Sequence, residues 1–325
     1  MTRIASEDDF LALVDRHFSR THPAVPLGRG DDAAILGWPE RTCVSTDLFL
    51  ENVHFRRSYF SPEDIGYKAL AVNSSDIAAM GGYPIGFTLG IICPDGLEAA
   101  FCDALLEGMA QAAAPWGIPL VGGDISCGDT LGLCVTIWGR PGASGHFLSR
   151  QGALPDDVLF AVGPLGLART GLLTLERKGA AAAQRFPAAV AAHLRPVARV
   201  DAGVRIAEIP GVRALMDVSD GLARDLPRLL GPDRGATLAI EGSRVHPETA
   251  ALADVLGQDA VLELVIGGED YALLGSVAPD AWPELAARVP EAWPLGRVQN
   301  EPGITINGAP LVAAGFDHFG QSRPA

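Results

Sequence analysis

The chain has 325 residues, 48% of them hydrophobic and 20% charged, a balance that describes a folded globular protein and excludes a disordered or fibrous one. That length exceeds what one hydrophobic core usually spans, so two domains are expected. The formal net charge of −14 at pH 7 argues against a nucleic-acid or anionic-membrane partner, because both need a basic face to displace counterions.

Five cysteines (Cys43, Cys93, Cys102, Cys127 and Cys134) lie in the first half, are odd in number and form no C-x-x-C, which reads as reduced thiols. The start, Met1 to Asp9, lacks the basic residues and apolar core of a signal peptide, and no run approaches the roughly 18 apolar residues of a membrane span. A cytoplasmic protein is expected.

In chain order, Gly28-Arg29-Gly30-Asp31-Asp32 comes first, a glycine turn with paired carboxylates that turn chemistry alone would also explain. Residues 41–49 alternate as a strand does, placing Ser45 and Asp47 on the face opposite Thr46 and Leu48. Ser61-Pro62-Glu63-Asp64 is a helix start: an N-cap hydroxyl, proline at the first position and acids in the first turn. Gly81-Gly82 supplies the stop. Within that helix Ile65, Ala69, Val72, Asp76 and Ala79 follow one stripe, so a carboxylate occupies an otherwise buried face and calls for a cation.

Residues 85–93 and 131–138 read as strands, 97–114 as a helix, and 118–121 as a short buried strand that runs into Gly122-Gly123-Asp124. Carboxyl ends of strands are where open α/β sheets collect ligands, although a plain β-turn would carry the same residues. The turn-rich Arg140-Pro141-Gly142-Ala143-Ser144-Gly145 marks a boundary between domains 1–143 and 144–325. Beyond it, residues 158–162 and 214–218 are strands, each entering a glycine turn and a helix, so the second domain is also mixed α and β. The alanine-rich stretch 179–192 reads as a surface helix. In Asp217-Val218-Ser219-Asp220-Gly221 either Ser219 or Asp220 could simply cap the next helix, and Gly267-Gly268-Glu269-Asp270 could be only a tight turn.

What joins these sites is their number: carboxylates recur beside glycine at strand ends, as a magnesium-nucleotide site requires, since Mg²⁺ prefers carboxylate, water and phosphate oxygens. Phosphoryl transfer from ATP is the expected chemistry. The chain has no G-x-x-x-x-G-K-[ST] and no protein-kinase glycine loop, and His54 makes no zinc-like spacing with another histidine or cysteine.

Taken together, Gly28 to Ala34, Ser45-Thr46-Asp47, Val53-His54-Phe55, Lys68 to Asp76, Ala78-Ala79-Met80-Gly81, Gly122-Gly123-Asp124, His193-Leu194-Arg195-Pro196, Asp217 to Leu222, Gly268-Glu269-Asp270-Tyr271 and Phe316-Asp317-His318-Phe319 resemble the thiamine-monophosphate kinase family. That family belongs to the superfamily of ATP-binding enzymes that includes aminoimidazole ribonucleotide synthetase, and the resemblance covers nearly the whole chain. It implies an α/β (α+β) fold of two domains. The N-terminal domain would bind ATP and magnesium and pair its small sheet across a homodimer. The C-terminal domain, a larger mixed sheet flanked by helices, would complete the nucleotide and substrate site. It further implies direct transfer of the ATP γ-phosphate to thiamine phosphate, with no nucleic-acid or membrane partner.

By position, the resemblance makes Asp32, Ser45, Thr46, Asp47, Asp76, Asp124, Asp217 and Asp220 ligands of several Mg²⁺ ions, with Asp32, Asp47, Asp76, Asp124 and Asp217 the catalytic set. Gly123, Asp124, Arg150 and Ser219 would contact ATP, while His54, Glu269 and Phe316 would contact thiamine phosphate. Glu269 suits a cationic thiazolium, on which Phe316 can stack. Two phosphorylated anions must approach each other, so metal ions rather than a strong base should dominate. Ile125-Ser126-Cys127-Gly128 departs from the two threonines, arginine and glycine usual in the family, and Met109 is the residue that could replace the family's adenine-side tyrosine. Two alternatives remain, an aminoimidazole ribonucleotide synthetase-like enzyme and a catalytically silent nucleotide-binding homologue. A selenophosphate synthetase would need a reactive cysteine earlier than Cys43, and a hydrogenase-maturation dehydratase would end in a cysteine rather than Ser322-Arg323-Pro324-Ala325.

Overall fold

The structure is a computed structural model that describes residues 7–29, 33–39 and 41–311. Asp32, Phe316 and the Asp317-His318-Phe319 segment lie outside the described residues. The chain divides into two compact units, residues 1–77 with 82–141, and residues 78–81 with 142–325.

The first unit runs α1 (Glu7–His17), β1 (Cys43–Leu50), α2 (Pro62–Ala79, whose last two residues belong to the second unit), β2 (Gly82–Pro94), α3 (Ala99–Ala113), β3 (Leu120–Gly128) and β4 (Gly132–Pro141). Its four-stranded sheet has the order β1-β4-β2-β3. All neighbours are antiparallel except β2 and β3, which run parallel. Because side chains alternate along a strand, register decides which residues share a face. Phe87, Leu89, Ile91, Leu133, Val135 and Ile137 fall on one face and are all buried. Helix α2 lies over that face, with Ile77 packed above Gly139. Its start is local chemistry: Ser61 Oγ accepts the Asp64 N–H at 3.1 Å and Pro62 takes the first helical position. The opposite face of the sheet is open, carrying Val44 at 61%, Leu48 at 59% and Ile92 at 45% exposure.

The expected strand 118–121 is longer than its sequence suggests. Gly122-Gly123-Asp124 lies within β3 rather than in a turn after it, because β3 stays paired with β2 as far as Pro94↔Gly128. At Gly123 the close approach of β2 requires glycine, since a Cβ there would stand 1.9 Å from the Leu89 carbonyl oxygen.

In the second unit, β5 (Val158–Val162) leads to α4 (Leu167–Lys178), α5 (Pro187–Leu194), α6 (Val200–Ala207), β6 (Val212–Val218), α7 (Leu222–Leu230), β7 (Gly235–Leu238), α8 (Pro247–Leu256) and α9 (Ala260–Ile266). It closes with β8 (Ala272–Val277), α10 (Trp282–Arg288), β9 (Ala292–Gln299), β10 (Gly303–Ile306) and β11 (Ala309–Pro310). The seven-stranded sheet has the order β11-β10-β7-β9-β5-β8-β6 and is mixed, with β10 and β7 parallel. Strand β5 is buried along its whole length, the pattern of a strand covered on both faces. Leu159, Met216, Leu222, Leu226, Leu274 and Leu295 form the centre of this core.

The alanine-rich stretch is not one surface helix. Residues 179–184 make a 3₁₀ segment, Pro187 starts α5 anew, and Ala189, Val190 and His193 are buried. Proline at 187 starts a new helix rather than continuing the preceding one, and Pro196 stands two residues beyond the end of α5. Among the described residues no helix is long and apolar enough to cross a membrane.

Candidate active site

In the first unit, strand β1 and helix α2 bring together Ser45, Asp47 and Asp76. Ser45 and Asp47 share the helix-facing side of β1 with Ile137 and Val135 opposite them, as the alternation predicts. Ser45 Oγ donates to Asp76 Oδ2 at 2.5 Å. Burial pushes the Asp47 carboxyl from 3.8 up to about 6, and the neighbouring Asp76 charge adds to the rise. Two half-buried carboxylates thus lie close enough to repel one another, and the Ser45 hydroxyl bonds one of them. One turn earlier on α2, Asn73 is buried and donates to the Ala69 carbonyl at 2.8 Å.

Other expected ligands of this unit lie elsewhere. Thr46 faces the open side of the sheet, where its hydroxyl meets Thr136 Oγ1 at 2.8 Å and the Val135 carbonyl at 3.1 Å. Asp124 is exposed on β3, at the edge of the sheet away from β1, and its register with Gly90 places it on the open face. Gly123 and Cys127 are exposed on the same strand. His54 is half-buried, accepts the Leu50 N–H on Nδ1 at 3.0 Å and stacks on Phe49 at 5.8 Å. Met109 is wholly buried, so its side chain offers no surface to an adenine ring. Arg29 bonds Asp15 at 3.1 Å and the carbonyls of Phe18 and Leu120, which ties residue 29 to α1 and β3.

The second unit builds its carboxylates at the end of β6. Asp217 is buried as the penultimate residue of the strand, and the ordinary alternative for the following residues does not hold: neither Ser219 nor Asp220 caps α7, whose cap is Gly221 without a side-chain bond. Asp225 reaches back instead, its Oδ2 accepting the Asp220 N–H at 2.9 Å. Arg228 Nη1 bonds Asp220 Oδ2 and Asp225 Oδ1, each at 2.7 Å, and Arg224 lies 3.7 Å from Asp220. Burial raises the Asp225 carboxyl, against the opposing pull of the Asp220 N–H.

The Gly267-Gly268-Glu269-Asp270-Tyr271 segment follows α9. Glu269 and Tyr271 both hold positive φ, 63° and 48°, and their N–H groups bond the carbonyls of Ser219 at 2.7 Å and Val218 at 2.9 Å. Between them Asp270 turns inward and accepts the N–H groups of Gly166 at 2.6 Å and Ala168 at 3.0 Å at the start of α4. Burial pushes its carboxyl up to about 7 despite these bonds. Arg150 is exposed, in a stretch tied on either side by Leu215 N–H to Ser149 O at 3.0 Å and Gln151 N–H to Leu229 O at 2.9 Å.

Asp225, Arg228 and Asp270 carry the architecture of these turns; sequence reasoning did not single out Asp225 or Arg228, and it named Asp270 only within its glycine motif, with no role of its own. A signal existed for the first two, an acid in the first turn of α7 with an arginine three residues on. Among the described residues no three His, Cys, Asp or Glu side chains are grouped to hold a metal ion.

Residues 30–140 match the AIR synthase related protein, N-terminal domain, and residues 155–308 match the AIR synthase related protein, C-terminal domain. The thiamine-monophosphate kinase of Bacillus subtilis (strain 168) is 36% identical over 269 residues, covering 80% of each chain. That of Mycobacterium tuberculosis (strain ATCC 25618 / H37Rv) is 35% identical over 321 residues, covering 95% of this chain and 91% of its own. Among solved structures, the thiamine-monophosphate kinase of Stenotrophomonas maltophilia K279a superposes with a TM-score of 0.79 at 30% identity, over 95% of this chain and 98% of that one. AaThiL complexed with AMPPCP and TMP superposes with a TM-score of 0.77 at 28% identity, over 96% and 97%. The hydrogenase maturation protein HypE in complex with ATP, at 19% identity and a TM-score of 0.77, shares the fold alone. By sequence along most of its length, and by the fold of both units, this chain belongs to the thiamine-monophosphate kinase family.

Proposed function

We propose that this chain phosphorylates thiamine phosphate to thiamine diphosphate by direct transfer of the γ-phosphate of ATP. The observation that carries the reading is the Ser45, Asp47 and Asp76 cluster. Two carboxylates held together raise each other's energy, and a hard cation relieves that repulsion. The donors fit magnesium: they are oxygens, and they are few, which leaves positions for water and phosphate. Asp47, Asp76 and the Ser45 hydroxyl would hold one ion, and Asp32 joins the set by its motif. Thr46 could contribute only its main-chain carbonyl, because its hydroxyl is committed to the other face. Asp124, Asp217 and Asp220 would hold further ions. When bound, magnesium supplies charge neutralisation for the phosphates that must meet.

Protein residues then bind and orient. Gly123, Arg150 and Ser219 would contact the nucleotide, with Gly123 presenting exposed backbone on β3. Glu269 would face the cationic thiazolium, His54 and Phe316 would complete acceptor binding, and no strong base is required because the acceptor is already an anion. The name of the AaThiL complex, with AMPPCP and TMP, supports both ligands for the family. The open sheet face with Val44, Leu48 and Ile92 supports a homodimer that buries it, since apolar surface of this kind is costly in water. Five free thiols support a reducing, cytoplasmic setting.

The test is ADP release with thiamine phosphate present and absent, at saturating Mg²⁺, with thiamine diphosphate identified by mass. Release that depends on thiamine phosphate is expected. A folded protein that releases no ADP in response to it would overturn the reading.

A further inference from the structure

His193 closes the last turn of α5 and is only 1% exposed, and its Nδ1 lies 3.0 Å from Glu269 Oε2. The two groups are within ion-pair distance, and because an ionised carboxylate can only accept, any proton between them is carried by the imidazole. The position of the imidazole is set by packing. Helix α5 crosses α4 at Gly171, where a Cβ would come within 2.1 Å of the Ala189 carbonyl oxygen and 2.9 Å of the His193 Cβ. No other residue at 171 would let α5 approach so closely, and that approach fixes where His193 starts.

The backbone of Glu269 is fixed as well. Its left-handed φ is clamped by its own N–H on Ser219, by the Tyr271 N–H on Val218, and by Asp270 at the start of α4. What the clamps leave undetermined is the direction of the Glu269 side chain, which is 26% exposed. The imidazole, anchored on a different helix and 3.0 Å from Oε2, constrains it.

We propose that His193 is a positioning residue that aims the Glu269 carboxylate at the cationic ring of the acceptor, and so sets affinity for thiamine phosphate rather than for ATP. The proposal rests on the assignment of Glu269 to thiamine phosphate made above. Its physical content is preorganisation: a charge held in place before binding does not lose side-chain freedom when the ligand arrives. A histidine that merely packed α5 against α4 would affect stability and both substrates alike.

The experiment compares His193→Leu, His193→Asn, Glu269→Gln and the Leu/Gln double variant in steady-state kinetics, with thermal melts alongside. Asparagine keeps an N–H donor at the δ position, and leucine keeps only bulk. His193→Leu is expected to raise KM for thiamine phosphate about tenfold, the scale of one lost contact of roughly 1.4 kcal/mol, with kcat and KM for ATP within about twofold. Asparagine should recover most of that loss, and leucine should add nothing once Glu269→Gln is present. Equal losses for both substrates, no recovery with asparagine in a folded protein, or losses that multiply in the double variant would each overturn the proposal. Should the leucine variant not fold, His193→Asn and His193→Gln carry the same test, because glutamine moves the donor one carbon further and should give the raised KM. Glu269→Gln alone examines the underlying reading separately: unchanged thiamine phosphate binding there removes Glu269 from the acceptor site, whatever His193 does.

Discussion

Asp47 and Asp76 come from different elements, and each is placed by the periodicity of its own. The strand alternation turns Asp47 to the helix-facing side, and the helical stripe turns Asp76 to meet it. If that meeting serves a metal ion, Asp76→Asn removes a ligand charge while its amide oxygen still accepts from Ser45. The variant should fold, with a melting temperature within a few degrees of the parent, and lose several orders of magnitude in thiamine-phosphate-dependent ADP release. Near-normal turnover at saturating Mg²⁺ would remove Asp76 from the metal site. Cys127 gives the contrasting case. It is exposed on β3, the resemblance implies an arginine at its position, and direct transfer to a phosphate needs no protein nucleophile. Cys127→Ser should keep turnover within about tenfold, as one altered contact of roughly 1.4 kcal/mol would. Loss of all activity, or a phosphate label on the enzyme that survives denaturation, would replace direct transfer with a covalent route.

Elements whose signals are local were legible before any coordinates. The hydroxyl and proline at Ser61-Pro62 start α2, and the alternation in β1 separates Ser45 and Asp47 from Thr46, because cap and pleat chemistry act within a few residues. Long-range pairing was not legible. Gly122-Gly123 reads as a turn by composition, yet β2 holds it extended, and only the register shows why glycine is required. For the same reason Asp124 could be assigned to the site by motif but not to the open face of the sheet, away from Asp47. Asp225 was not singled out, and Asp270 and His193 were named only within motifs, because their partners, Asp220, Gly166 and Glu269, are reached through the fold rather than through a pattern. Two alanine substitutions test the β2–β3 account. Gly123→Ala would press a Cβ to 1.9 Å from the Leu89 carbonyl, whereas the nearest atom to a Cβ at Gly122 is Thr88 Cγ2 at 3.8 Å. In urea denaturation Gly123→Ala should cost about 2 kcal/mol or more and Gly122→Ala less than about 1 kcal/mol. Equal costs would mean that β3 does not approach β2 as described.

For the molecule as a whole, the open sheet face and the buried carboxyls make separate demands. Leu48 is 59% exposed on the open face of β1, so a homodimer built on that face should fall apart when a charge is placed there. Leu48→Glu should sediment as a monomer where the parent sediments as a dimer, and an unchanged dimer would move the interface elsewhere. Acid groups govern the response to pH. Burial raises Asp47 from 3.8 to about 6 and Asp270 to about 7, and it raises Asp225 as well. A carboxyl with a higher pKa folded than unfolded holds more protons in the folded state, so its contribution to stability declines as pH rises from about 4 to about 7. The penalty is absent below the unfolded value and complete above the folded one. A divalent cation at Asp47 and Asp76 would offset part of it, because the ion favours the charged form that burial disfavours. Magnesium should therefore raise the melting temperature more at pH 8 than at pH 5, by an amount consistent with about 2.7 kcal/mol when its concentration is 100 times its dissociation constant. Asp47→Asn should melt higher than the parent at pH 8 without magnesium and gain less when it is added. Equal magnesium stabilisation of parent and variant at pH 8 would show that the Asp47 carboxylate is not where the cation binds.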